Sequence, residues 1–370
     1  MVQELFNRAR TCLHEHLPFV LYKKPNSNEL VGVFQHNDEV YRVDDFEETG
    51  FIFAPFDSDA DAVYIRMDSV LREALFLDKS NYNAELNILS KDVGEKENYI
   101  SLVQKALAQI KKGAFNKVVV SRKIQVEITD SHLDIFHRLL ATYEEAFCYY
   151  LYHPNIGTWM GATPEILIKS SGNQFTTMSL AGTQKVQGDD PPQWTLKELN
   201  EQQLVTDYIV DVLDKNAETL QILDKESIKA GQLWHLRTEL KGVMLPSKFG
   251  DILQALHPTP AVCGNPLQDA KSFILNNEYY QRSFYTGFLG ELNIKAEQPR
   301  NRNRKNQENS AYRSVKKISE LYVNLRCMQL LNNEAILYVG GGITEDSDPE
   351  KEWEETAIKS KTMLRVLNSK

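Results

Sequence analysis

The sequence predicts an α+β fold with large antiparallel sheets. Three observations carry that prediction. β-Branched and aromatic runs outnumber helical patterns. Several of these runs come as neighbours separated by a few turn residues, as hairpins require. The segments between them are mostly too short to hold the helical crossovers of a doubly wound parallel sheet.

The elements follow in order. Apolar residues at helical spacing run from Glu95 to Lys112, and Gly113 offers a stop. FNKVVVSRKIQVEI then reads as a strand. FCYYLYH and TWMGA form a hairpin around Pro154-Asn155, and EILIKSS pairs with QFTTMSLAGT. The longest helical pattern covers 196–223, with Leu204, Tyr208 and Val212 on one stripe. FYTGFLGELNI and ELYVNLRCMQLL read as strands on either side of a polar, basic stretch at 297–317, which is expected to be a solvated hairpin loop. AILYVGGGI reads as a strand running into a glycine turn. A last helix opens at Asp348-Pro349, an N-cap followed by proline at the first helical position.

Composition bounds the function. The chain has 370 residues, 42% hydrophobic and 25% charged, enough to bury a core without staples. A net charge of −9 argues against nonspecific binding to nucleic acid or anionic membranes. A nucleic-acid arm through Arg300, Arg302, Arg304 and Lys305 fits that acidity poorly. No apolar run approaches the roughly 20 residues of a membrane span, and the first residues, MVQELFNRARTCLHEH, lack the apolar core of a secretory signal. Cys12, Cys148, Cys263 and Cys327 lie far apart, which predicts reduced thiols, no zinc site and a cytoplasmic protein.

Several residues offer chemistry. Glu198 and Glu201 share one helix face at i, i+3, as do Glu352 and Glu355. Two facing pairs would suit a hard cation such as Mg²⁺, although acid pairs on helices more often face solvent. Glu165 enters an apolar strand, where desolvation would raise its pKa toward that of a general acid; a surface acid at a strand end is the plain alternative. Lys117 opens an apolar strand. A buried lysine there would be a base, a rim lysine would only reach for water. Gly340-Gly341-Gly342 lacks dinucleotide spacing and would serve either a close anion approach or a tight turn. His235 and His257 read equally well as core histidines. LHPTPAVCGNP is a rigid loop that would line a pocket or simply turn a corner.

Taken in order, KVVVSR, GATPE, LAGT, KELNEQQLV, WHLRTELKG, LHPTPAVCGNP, YYQRSFYTGFLGEL, VNLRC, GGGITEDSDPEKEWEET and IKSKTML resemble the chorismate-utilising enzymes. The likeness covers roughly 95–370; residues 1–90 match loosely, as the variable first part of a single 1–370 domain. The resemblance implies two stacked antiparallel sheets wrapped by helices, with the active site between them. Within the family, a lysine at Lys117 accompanies water addition at C2 of chorismate, where ammonia-using members carry glutamine. Ala181 stands where aminodeoxychorismate synthases carry a nucleophilic lysine. The pattern therefore resembles the isochorismate synthases of menaquinone or siderophore biosynthesis, with salicylate synthase, or a chorismate-binding protein without turnover, as the other readings.

The resemblance also implies roles. Lys117 is the base and Glu165 the acid. Mg²⁺ falls to Glu201 and Glu355, with Glu198 and Glu352 completing the site. Arg326 and Lys359 match positions that hold substrate carboxylates. Gly182, Thr183, Gly341 and Gly342 match backbone and hydroxyl contacts, Ala261, Val262 and Tyr285 match pocket walls, and His235 matches a histidine near the reacting ring. The expected partner is chorismate alone, with no glutaminase subunit, on a monomer.

Overall fold

A computed structural model describes residues 3–76, 94–186, 191–230, 233–299 and 313–367. The N-terminal part holds α1 (Gln3–Glu15), β1 (Phe19–Lys23), β2 (Glu29–Phe34), β3 (Tyr41–Arg42), β4 (Gly50–Ala54), β5 (Val63–Ile65) and β6 (Ser69–Ala74). The middle follows with α2 (Glu95–Lys111), β7 (Lys117–Glu127), α3 (His132–Thr142), β8 (Phe147–His153), β9 (Gly157–Thr163), β10 (Ile166–Ser171), β11 (Gln174–Lys185) and α4 (Leu196–Asp214). The rest comprises β12 (Thr219–Ile222), β13 (Glu226–Ala230), β14 (Leu233–Val243), α5 (Phe249–Leu256), β15 (Gly264–Asn265), α6 (Leu267–Asn277), β16 (Phe288–Pro299), β17 (Arg313–Val323), β18 (Cys327–Leu331), β19 (Glu334–Ile343) and α7 (Pro349–Leu367).

Among the described residues, the strands form two antiparallel sheets. One has nine strands in the order β15-β7-β19-β18-β9-β8-β1-β2-β6. The other has ten, in the order β12-β14-β11-β10-β17-β16-β4-β5-β3, with β13 also on β14. The α+β expectation holds. The N-terminal strands extend both sheets: β1, β2 and β6 continue the first, β3, β4 and β5 the second.

The sheets stack face to face. An aromatic layer between them draws Tyr22, Phe147, Tyr149 and Trp159 from the first and Phe51, Phe53 and Tyr322 from the second. Strand β8 shows how its sequence achieves this. Phe147, Tyr149 and Leu151 face the inter-sheet layer, whereas Cys148 and Tyr150 join the outer cluster with α1, α3 and α7. A strand buried on both faces reads as an unbroken apolar run. On the far side, α4 and α5 cover the ten-stranded sheet, while α2 and α6 pack on β7. All four cysteines are buried and free. No helix among the described residues is long and apolar enough to cross a membrane.

Five sequence expectations change. The helix predicted over 196–223 ends at Asp214, and Thr219–Ile222 becomes β12 because it pairs with β14. The face of α4 that is buried carries Val205, Ile209 and Leu213, one position beyond the expected stripe. The three glycines form no turn; they are strand residues opposite Ser121, Val120 and Val119. The run ELYVNLRCMQLL is two strands in different sheets, β17 and β18. Of the basic stretch, 297–299 belong to β16 and 313–317 to β17, with Pro299 opposite Arg313, so the expected loop is shorter at both ends; residues 300–312, including Arg300, Arg302, Arg304 and Lys305, lie outside the described residues.

Candidate active site

Two chain crossings between the sheets build the centre of the site. From β9 the chain passes through Pro164 and Glu165 into β10; from β17 it returns through Asn324, Leu325 and Arg326 into β18. The crossings lie side by side. Thr163 Oγ1 donates to the Val323 carbonyl at 2.6 Å. Val323 N donates to the Glu165 carbonyl at 3.0 Å, and Ala162 N to the Arg326 carbonyl at 3.0 Å. Arg326 adopts a left-handed φ of 48°, uncommon for a bulky residue. Both side chains line one cavity.

Glu165 is buried, and burial pushes its carboxyl up to about 7 although Lys117, Arg326 and Lys359 pull the other way. Arg326 donates to His235 Nε2 at 3.0 Å. That places the imidazole proton on Nδ1, which faces the Gly182 carbonyl at 3.1 Å. Burial, then Arg326 and Lys359, hold His235 down to about 3, so it is neutral and acts as an acceptor that aims the guanidinium.

The acids come from two helices. In β11 the register slips between Ala181 and Gln184, and Gly182 sits in the bulge with φ 73°. A Cβ there would come within 3.2 Å of Glu198 Cβ. The bulge lets α4 approach closely. Glu198 also closes the capping box of α4, accepting from Thr195 N at 2.8 Å. Glu201, Glu352 and Glu355 reach two of the three glycines of β19. A Cβ on Gly342 would stand 2.6 Å from Glu201 Oε1; one on Gly341 would stand 3.2 Å from Glu352 Oε2 and 3.9 Å from Glu355 Oε1. A side chain at Gly342 would displace Glu201, and one at Gly341 would press on Glu352.

Each of these three acids has a lysine. Lys117 Nζ is 2.9 Å from Glu201, Lys197 Nζ 2.8 Å from Glu352, and Lys359 Nζ 2.7 Å from Glu355. Lys359 also donates to the Gly340 carbonyl at 3.0 Å. Burial pushes Glu201 up, but Lys117, Lys359 and Lys197 outweigh it and hold the carboxyl below its ordinary range. Glu352 goes the other way: burial, then Glu355, raises it despite Lys197. Among the described residues, no three His, Cys, Asp or Glu side chains are drawn together tightly enough to hold a metal. The donors nevertheless suit a hard divalent cation. They are carboxylates, and Glu352 Oε2 is buried without a hydrogen-bond partner.

Of the residues singled out in the sequence, Glu165, Gly182, Thr183, Glu198, Glu201, His235, Ala261, Val262, Tyr285, Arg326, Gly341, Gly342, Glu355 and Lys359 all line this cavity. Lys117 and Glu352 stand behind its wall. Lys117 is fully buried, and its Cε lies 3.0 Å from where a Cβ on Gly342 would be. His257 is elsewhere: it faces the Pro55 carbonyl at 2.8 Å and is held down to about 4 by burial. Sequence reasoning missed Lys197, Val119 and Tyr338, which also line the cavity. Val119 was legible, since it shares a strand face with Lys117 by the two-residue period. Lys197 carried no comparable sign.

The chain has relatives among known proteins. The family model described as chorismate binding enzyme matches residues 52–298 and 312–368. The isochorismate synthase DhbC of Bacillus subtilis is 30% identical over 299 residues, 75% of this chain and 69% of that protein. The isochorismate synthase EntC of Escherichia coli is 28% identical over 296 residues, 76% and 70% respectively. Among solved structures, MenF, the menaquinone-specific isochorismate synthase from Escherichia coli, superposes with a TM-score of 0.74 at 21% identity, covering 95% of this chain and 89% of that one. Motif order, stacked sheets and this match over most of the length agree: the chain belongs to the chorismate binding enzyme family.

Proposed function

We propose that this chain is an isochorismate synthase that requires Mg²⁺. One observation carries the reading: a buried carboxyl, Glu165, with a pKa near 7, shares its surroundings with a buried amine, Lys117, beside a cavity walled by the cations Arg326 and Lys359. Such a cavity suits a small dicarboxylate, and an acid–base pair of this kind suits proton transfer at both ends of a ring.

Lys117 takes a proton from the water whose oxygen attacks C2 of chorismate. The ring double bonds shift. Glu165 gives its proton to the departing C4 hydroxyl, so one water enters and one leaves. Neither side chain forms a covalent bond. Ala181 supports this, since a methyl group offers no nucleophile. Arg326, aimed by His235, holds one substrate carboxylate, and its fork suits that planar group. Glu201 and Glu355, with Glu352 and Glu198, would hold Mg²⁺, which supplies positive charge to the ring carboxylate when bound.

The test is incubation with chorismate and Mg²⁺, with products separated by chromatography. Isochorismate is expected, and EDTA should abolish its formation until Mg²⁺ is restored. Lys117→Ala should lower the rate at least ~100-fold. Salicylate with released pyruvate would favour a salicylate synthase, and equally slow chorismate loss in wild type and Lys117→Ala would end the enzyme reading.

A further inference from the structure

Lys197 occupies an unfavourable place for a cation. It is in the first turn of α4, beside Glu198, where the helix dipole is positive. Its side chain, 31% exposed, reaches inward to a single carboxylate, Glu352, whose side chain is 2% exposed. Glu352 shares its surroundings with Glu355, and its second oxygen has no hydrogen-bond partner. Two like charges in a buried setting need positive charge nearby. Lys117 and Lys359 pair with Glu201 and Glu355, which leaves Lys197 as the cation for Glu352, alongside the Ser347 hydroxyl. The contact crosses 155 residues of sequence and joins α4 to α7.

We propose that Lys197 is an internal counter-cation: it balances Glu352 while no divalent ion is present and gives way when one binds. It is a positioning residue, acting through Glu352. This rests on the magnesium reading given above. If Lys197 and the ion compete for one carboxylate, removing the ammonium should strengthen ion binding and weaken the ion-free fold. A merely structural lysine would do only the second.

The experiment is calorimetric titration of Mg²⁺ into the full chain without substrate, for wild type, Lys197→Met and Lys197→Arg, with thermal melts of each in the presence and absence of Mg²⁺. Lys197→Met should bind Mg²⁺ roughly tenfold tighter, an ordinary strength for one close charge pair near a surface. It should melt lower than wild type without Mg²⁺ and recover with it. Lys197→Arg should behave as wild type. Equal or weaker binding by Lys197→Met overturns the proposal alone. If that variant does not fold, Lys197→Gln decides by the same criterion. A wild type that takes up no Mg²⁺ at millimolar concentration overturns the magnesium reading, and this proposal with it.

Discussion

At the scale of the residue, Glu165 is the most consequential group. Its carboxyl titrates near 7 in the folded chain against an ordinary 4.5. Below pH 4.5 both folded and unfolded chains hold the proton, and nothing is lost. Between 4.5 and 7 the unfolded chain releases its proton while the folded one keeps it, so stability falls as pH rises. Above 7 the full cost, about 3 kcal/mol, is in place. Glu165→Gln should therefore match wild type in denaturant midpoint near pH 4.5 and exceed it at pH 8, while losing turnover. If the gap does not grow with pH, Glu165 is not protonated as described. For the wild type, kcat/KM should decline above pH 7 as the acid loses its proton. A carboxylate after Pro164 was visible in the sequence. Its burial was not, because that depends on a second crossing formed some 160 residues later by Asn324 to Arg326.

At the scale of the element, β19 and α4 decide the site. Among the glycines of β19, Gly342 leaves room where a side chain would collide with Glu201, so Gly342→Ala should cost at least ~100-fold in rate, its methyl facing Glu201 and Lys117. A circular dichroism spectrum like that of wild type would show that the loss is local. Reading those glycines as a turn was a natural error: runs of glycine usually punctuate, and only the pairing with β7 keeps them extended. Helix α4 begins with a capping box that engages Glu198. Thr195→Ala should destabilise by about 1 kcal/mol in a denaturant melt. The overshoot of α4 to residue 223 has a similar cause, since β12 is a strand only by virtue of its partner β14.

At the scale of the whole molecule, buried ionic ties hold the sheets and loops around the cavity. Tyr22 and Lys24, on and just beyond β1, bind Glu291 of β16 and so join the two sheets. Arg282 does more for the site. It pairs with Glu278 and donates to the carbonyls of Val262, in the cavity loop, and Val119, on β7. The Glu278 side chain is only 1% exposed. Arg282→Met would leave it buried without its cation and should cost about 3–5 kcal/mol, read as a lower melting temperature. A loss under 1 kcal/mol would show that Glu278 finds another partner or water.

The sequence by itself determined the class of fold, most of the strands, the ends of α2 and the start of α7, because these follow from apolar period, hairpin spacing and capping within a few residues. It also placed two acid pairs on helix faces and a lysine at the head of a strand. Only the tertiary structure decided that Glu201 lies against Gly342 and Glu352 and Glu355 against Gly341, that each has its own lysine, and that ELYVNLRCMQLL breaks to bring Arg326 to Glu165. The reason is physical. Backbone periodicity is a property of neighbours along the chain, whereas burial and charge balance depend on groups that become neighbours only after the sheets have stacked.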